Sequence, residues 1–441
     1  MALQDQHLAD LHQRARVSGV PGYRMLSRDE LIEAIEEREE GRGHEPADRE
    51  EAVDAGLERP HHEPLEDEEP EEEADAEEPA ERDRRDQSDT PEPDEPDTEP
   101  VTGVLDRMPQ GYGFLRLSGL HEAEGDVYVS ASQIRRCELR PGDEVSGPAR
   151  QPRRGERHRA LVRIEGVNGQ SPEEERTHFE DLTPAPPHRR LFLSDAPADP
   201  LVRAVDLLGP LAFGQRVLIL AQPRSGRTTL LRALGSAIAE TDAHLCVVLA
   251  DERPEEVPQW ELALPNAEIF AATADQEPRD QVREAELAMG HAKRLAEGGE
   301  DVVALIDSLS RLALGYRDPA RVKRMFGVGR ELGEDGAGSL TVIATVLDSD
   351  DRGVEVREAL QTTENLLLRL DAGLAAKGIV PSLVAADSRA SGEEELRDPD
   401  ELEKARRLRE ELSEMDPEQA ARALADQIAA TASNTELLSR L

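Results

Sequence analysis

The segment AQPRSGRTTLL (221–231) places a glycine, an arginine and two hydroxyls at the head of an apolar helical pattern, directly after the apolar run RVLILA (216–221). A strand that turns through such a loop into a helix offers backbone N–H groups and a helix N-terminus to phosphate oxygens. The usual form of the loop is GxxxxGK[ST]. Here Ala221 stands at the first glycine, and Gly226, Arg227 and Thr228 close the pattern. Gly226 suits close approach of backbone to phosphate, and Thr228 offers a hydroxyl to Mg2+. Arg227 stands where a lysine reaches the β/γ-phosphates; arginine keeps the charge but is a larger planar fork. Taken alone, the segment also reads as an ordinary strand-to-helix turn.

Two carboxylates extend the pattern. Asp307 ends the apolar run DVVALID (301–307), a place from which a carboxylate holds the metal shell of a bound nucleotide. On its own it reads equally as a helix cap beside Ser308. Glu252 ends LCVVLADE and precedes Arg253. A carboxylate there can polarise an attacking water as general base, or be a surface charge at a strand end. Three strand ends carrying these three groups favour a phosphate-transfer site over coincidence.

A second constellation lies upstream. Tyr112 and Phe114 are two residues apart and share one face of a strand, and Tyr128 follows on another. In a chain that is 2% aromatic, such rings make either a base-stacking platform or the filling of a small core. Arg135 to Arg163 holds nine arginines against four acids, a basic patch suited to phosphate or a solvated face.

The elements that must position these residues follow from pattern. At 441 residues the chain holds two or three domains. Residues 1–45 read as a small helical unit, with Ser27 as N-cap of an apolar stripe. Residues 46–100 carry 25 acidic against 5 basic residues, about half of the net charge of −42, with many prolines; such a stretch is expected to be a disordered acidic linker. From 101 to 175 short alternating strands separated by glycine turns predict a β-barrel: TGVLDRM, GYGFLRL, DVYVS, DEVSGPAR and ALVRIEGV. From 176 to 441 apolar strands alternate with helical stretches near 227–239 and 278–297, predicting a parallel α/β sheet followed by a charged helical C-terminus. Cys137 and Cys246 are far apart and read as lacking His or Cys partners at ligand spacing, which argues against zinc and a disulfide framework. No basic-then-apolar leader and no eighteen-residue apolar run occurs, so the expected location is the cytoplasm, without membrane association.

ADERPEEV, ALIDSLSRLALGY, FGQRVLILAQPRSGRTTLL and GSLTVIATVL closely resemble the ATPase core of the transcription termination factor Rho family. GVLDRMPQGYGFLR, DVYVSASQIRR and GERHRALVRIEGVN resemble its cold-shock-like RNA-binding domain, and FEDLTPAPPHRRL its connection. The match covers roughly residues 5–40 and 101–430. It implies a multidomain fold: an N-terminal helical unit, an OB/cold-shock-like barrel and a RecA-like P-loop NTPase core. The implied activity is RNA-dependent ATP hydrolysis with Mg2+ by a homohexameric ring, a helicase that moves along nascent single-stranded RNA and releases transcripts from the RNA polymerase elongation complex. Implied nucleotide contacts are Gly214, Gln215, Arg216, Arg224, Ser225, Gly226, Arg227, Thr228, Thr229, Arg253 and Arg311, with Glu252 and Asp307 catalytic and Thr228 and Asp307 on the metal. Implied RNA contacts are Tyr112, Phe114, Leu115, Tyr128, Arg136, Glu156 and Arg157, with His158 where the family has an aromatic.

The chain also departs from the family. Arginines replace lysines at 224 and 227. The glycine-rich channel loop after the metal-binding Asp is missing, since Tyr316 passes directly through RDPARVKRMFG. The second channel loop corresponds to the acidic Asp348–Gly353, where only Arg352 remains to meet phosphate. Glu393 and Glu394 stand where the family's SGTR motif has Thr and Arg, with Arg389 nearby. These departures define an alternative, a divergent paralogue that binds RNA and nucleotide with little hydrolysis.

Overall fold

The computed structural model describes residues 98–193, 199–316, 318–333 and 337–441, together with Ile32. Apart from Ile32, the expected N-terminal helical unit lies outside the described residues, as does nearly all of the expected acidic linker. The linker's expected end at Pro100 is three residues too far along. Strand β1 (Thr98–Arg107) already pairs antiparallel with β4 (Glu144–Arg150) from Thr98, opposite Arg150, and Glu99 bonds Arg159 at 2.8 Å.

The next strands are β2 (Gly113–Arg116), β3 (Val127–Val129), β5 (Arg159–Leu161) and β6 (Gly166–Val167). The order β1-β2-β3-β5-β4, closed by β4 on β1, makes a five-stranded barrel, and β6 extends beside β4. The predicted strand ALVRIEGV is interrupted. Gly147 of β4 lies so close to the Arg163 carbonyl that a Cβ would stand 2.2 Å from it. Strand alternation turns Leu105, Leu115, Val127, Val129 and Val145 into a core from which water is excluded. The short helix Ala131–Arg136 plugs one end. Ser130 caps it through a reciprocal box with Gln133, whose amide also donates to the Leu161 carbonyl at 3.0 Å.

Among the described residues the second sheet has nine strands. β8 (Arg216–Ala221), β9 (His244–Glu252), β10 (Glu268–Thr273), β11 (Asp301–Asp307), β13 (Ser339–Leu347) and β14 (Leu366–Arg369) run parallel in the order β10-β9-β11-β13-β8-β14. β15 (Arg389–Ala390) closes one edge, while β12 (Arg330–Leu332) joins β13 to β7 (Pro184–Ala185). Because both faces are covered, the central strands are near-continuous apolar runs. Val217 and Ile219 pack under the helix Arg227–Ile238 and the C-terminal helices; Leu218 and Leu220 pack under Pro278–Glu297 and Leu309–Tyr316. Among the described residues no helix is long and apolar enough to cross a membrane.

The barrel is bound to this sheet through the helix Pro278–Glu297. Arg283 donates to Asp106 at 2.5 Å, Arg140 to Glu297 at 2.8 Å, and the Phe179 N–H to Glu297 at 2.6 Å. Gly142 meets Gly290 backbone to backbone; a Cβ on Gly142 would lie 2.4 Å from the Gly290 carbonyl carbon.

Candidate functional site

Strands β8, β9, β11 and β13 end at one edge of the parallel sheet, where such folds bind ligands. Register sets this edge: Asp307 lies opposite Leu249, and Leu347 opposite Ala221. From β8 the chain turns through a loop with two left-handed residues, Arg224 at φ 64° and Gly226 at φ 87°, before the helix begins at Arg227. Gly226 meets that conformation without the penalty of a side chain. The loop is pinned from outside: Ser382 donates its hydroxyl to the Ser225 carbonyl at 2.5 Å, and Gln222 accepts from the Ala372 N–H at 3.2 Å.

Arg227 and Asp307 meet. The Arg227 Nε stands 3.0 Å from Asp307 Oδ1, which also accepts from the Thr345 hydroxyl of β13 at 3.0 Å. Burial pushes the Asp307 carboxyl above its ordinary value; Arg227 opposes this, Glu252 adds to it, and the Thr345 bond opposes it. Three buried polar atoms here have no hydrogen-bond partner: Ser225 Oγ, Arg227 Nη1 and Asp307 Oδ2. Buried polar groups are rarely left so. An anion with its cation would satisfy all three, so the residues fit a phosphate group with Mg2+.

Glu252 reaches this edge through a bulge. Ala250 pairs with Ala272 but Glu252 with Thr273, leaving Asp251 as the extra residue at φ 55°. Bulges re-aim the following side chain and recur beside active sites. Arg311, in the first turn of Leu309–Tyr316, forms an ion pair with Asp251. Arg224, Arg253 and Thr229 are exposed, and Thr228 is half-buried.

Gly214, Gln215 and Arg216 do not belong to this cluster. Arg216 begins β8 and Gly214 and Gln215 precede it, six or more residues before the loop, roughly 20 Å away at ~3.3 Å per residue. There Gln215 accepts from the Ala212 N–H, Arg216 donates to the Thr363 carbonyl at 2.5 Å, and Gly214 permits contact with the backbone of Glu331. The residues missed in the sequence reading are Thr345 and Ser382. Thr345 lies within GSLTVIATVL but reaches Asp307 only because β13 pairs with β11, and Ser382 reaches the loop from the segment after the helix Ala372–Ala376.

On the barrel, Tyr112, Phe114 and Tyr128 form one ring cluster with centroids 5.6–6.0 Å apart, and His158 packs edge-on to Phe114 at 4.9 Å. Tyr128 opens into a groove of about 630 Å³ that Arg136, Arg153 and Arg157 line. Glu156 lies there too. Hydrogen bonds from the Arg150 guanidinium and the Arg153 backbone N–H hold its carboxyl down to about 2, so it stays ionised and orders the arginine rim. Leu115 is not part of this surface. It is fully buried in the barrel core, because it alternates with Phe114 and so points to the opposite face.

The altered segments are placed as follows. The helix Leu309–Tyr316 is followed at once by Pro319–Phe326, whose N-terminus Asp318 caps at 2.9 Å. Asp348 accepts from Arg357 at 2.9 Å, and Asp350 caps the helix Asp351–Leu360, bringing half-buried Arg352 within 3.3 Å of the Ala313 carbonyl. Glu393 is buried and bonds Arg409 at 2.7 Å, while Arg389 lies exposed against Glu364.

Residues 101–173 match the model of the Rho termination factor RNA-binding domain, and residues 202–330 that of the ATP synthase alpha/beta family nucleotide-binding domain. The transcription termination factor Rho of Bacillus subtilis is 40% identical over 341 residues, 71% of this chain and 78% of that protein. This chain belongs to the Rho family. The Aquifex aeolicus member is 37% identical over 77% of this chain and 84% of its own length. The Streptomyces lividans member is 41% identical over 77% of this chain, and the match spans about half (51%) of that longer protein. The Rho-family barrel and nucleotide-binding core thus coincide with the two constellations described above.

Proposed function

We propose that the chain is an RNA-dependent ATPase of the transcription-terminating kind, binding nascent single-stranded RNA on the barrel and hydrolysing ATP at the edge of the sheet. The observation that carries this reading is the meeting of Arg227 and Asp307 at 3.0 Å beneath a left-handed loop, with unsatisfied polar atoms on both. The Arg227 guanidinium lies against the buried Asp307 carboxylate, and its Nη1, which has no partner, would hold phosphate. The Thr228 hydroxyl and the Asp307 carboxylate would hold Mg2+, which supplies charge neutralisation to the phosphates when bound. Glu252, beside the bulge at Asp251, accepts a proton from the attacking water, and Arg253 and Arg311 border the leaving charge.

RNA bases stack on Tyr112, Phe114 and Tyr128 while Arg136 and Arg157 face the backbone, each stacked base contributing about 1–3 kcal/mol. Assembly as a homohexameric ring, action on the RNA polymerase elongation complex and a cytoplasmic location belong to the same reading. Transcript release from halted elongation complexes tests it. Release that needs ATP, fails with a non-hydrolysable analogue and fails with Glu252→Gln is expected. Intact retention of transcripts at saturating protein and ATP overturns the termination reading.

A further inference from the structure

At the sheet edge remote from the phosphate loop, where β9, β10 and β11 begin, a second polar cluster has no part in nucleotide chemistry. His244 and Cys246 are two residues apart on β9 and share a face, and Cys246 is the register partner of Glu268 on β10. A ring nitrogen, the thiol sulfur and a carboxylate oxygen from these three lie within 4.8 Å of one another. His244 Nε2 stands 3.4 Å from Glu268 Oε1, and Cys246 Sγ 3.9 Å from Oε2. His291, buried on the helix Pro278–Glu297, brings its Nε2 to 3.4 Å from the same Oε2. Around a tetrahedral zinc with bonds of ~2.0–2.3 Å, ligand atoms stand about 3.3–3.8 Å apart.

The imidazoles supply an independent observation. Each faces oxygen with both nitrogens: His244 Nδ1 lies 3.1 Å from Glu300, and His291 Nδ1 lies 3.1 Å from the Gly142 carbonyl. His244 Nε2 is buried without a hydrogen bond. An imidazole that donates Nδ1–H to a carboxylate or carbonyl and turns Nε2 inward has the second-shell arrangement of a metal ligand.

We propose that His244, Cys246 and Glu268 bind one divalent transition metal ion, with zinc the best match to a nitrogen, sulfur and oxygen donor set and His291 holding Glu268 from the helix Pro278–Glu297. The expectation against zinc rests on Cys246 lacking a partner at ligand spacing, yet His244 stands two residues before it. The ion is structural. It joins β9 to β10, and His291, which meets both Glu268 and the Gly142 carbonyl, ties that carboxylate to the helix Pro278–Glu297 and the barrel.

Cobalt titration of the full-length chain tests this, with bound metal also counted by mass spectrometry after loading with Zn2+ and dialysis. One equivalent of Co2+, with a thiolate-to-cobalt charge-transfer band that Zn2+ abolishes, is expected. Cys246→Val keeps the core volume and should lose the band, with metal affinity at least a hundredfold weaker. His244→Asn alters a partly exposed ring and should weaken affinity tenfold or more without change in circular dichroism. Should Cys246→Val fail to fold, His244→Asn decides alone. Absence of uptake, uptake without the thiolate band, or uptake that persists unchanged in the folded variants overturns the proposal and leaves an ion-pair network.

Discussion

Arg227 holds two jobs that a mutation separates. It pairs with buried Asp307, and its unpartnered Nη1 is the atom proposed to hold phosphate. Removing one partner of a buried ion pair costs about 3–5 kcal/mol. Arg227→Ala should therefore lower the melting temperature even without ATP and weaken nucleotide affinity by tenfold or more, measured by calorimetry and nucleotide titration. Arg227→Lys should keep most of both. Equal nucleotide affinity in Arg227→Ala and the parent chain would remove this residue from the site. At this scale the sequence was legible where a charged residue ends an apolar run: register carries Asp307 to the edge, while Glu252 also needs the bulge at Asp251. Thr345 was not legible, since its bond to Asp307 spans 38 residues and requires β13 beside β11. Leu115 was legible and misassigned, for alternation with Phe114 already turns it inward.

Elements make the barrel surface and its core separable. Truncating Leu115 to Ala leaves a cavity and should destabilise the chain by about 2–5 kcal/mol, read from denaturant unfolding. Tyr128→Ala should leave stability nearly unchanged and weaken single-stranded RNA binding, by about 1–3 kcal/mol for the stacked base. The reverse pattern would exchange the two roles. Strand β11 and the helix Pro278–Glu297 run between the same residues as their apolar patterns. The last predicted barrel strand breaks into β5 and β6 because the chain crosses Gly147 at backbone contact, a closeness set by a partner strand and invisible along the segment itself. The start of the barrel was hidden for a related reason: Thr98–Pro100 have linker composition, and their strand exists through pairing with β4.

On the scale of the whole molecule, two fields act. The chain carries a net charge of −42, yet the barrel groove presents Arg136, Arg153 and Arg157 to solvent. RNA affinity should therefore fall with salt, at a log–log slope of about −0.7 per phosphate contacted, or roughly −2 for three arginines. The second field lies at the seam between barrel and sheet. Burial, then the nearby Asp280 carboxylate, pushes Glu284 up to about 7, with the Arg116 cation opposing. Its folded-state value lies above its unfolded one, so the folded chain binds the extra proton between about 4.5 and 7. Stability from this group is present below that window and is lost as pH rises through it. Glu284→Gln should flatten that slope and stabilise the chain at pH 8 relative to the parent; an unchanged slope in thermal melts would contradict the assignment. The central claim is that sheet edge and barrel act together, and steady-state ATP hydrolysis by the purified chain, with and without pyrimidine-rich RNA, tests it most directly. The account predicts turnover that RNA stimulates and that Glu252→Ala abolishes. Binding of both ATP and RNA without turnover, or turnover indifferent to RNA, would contradict it.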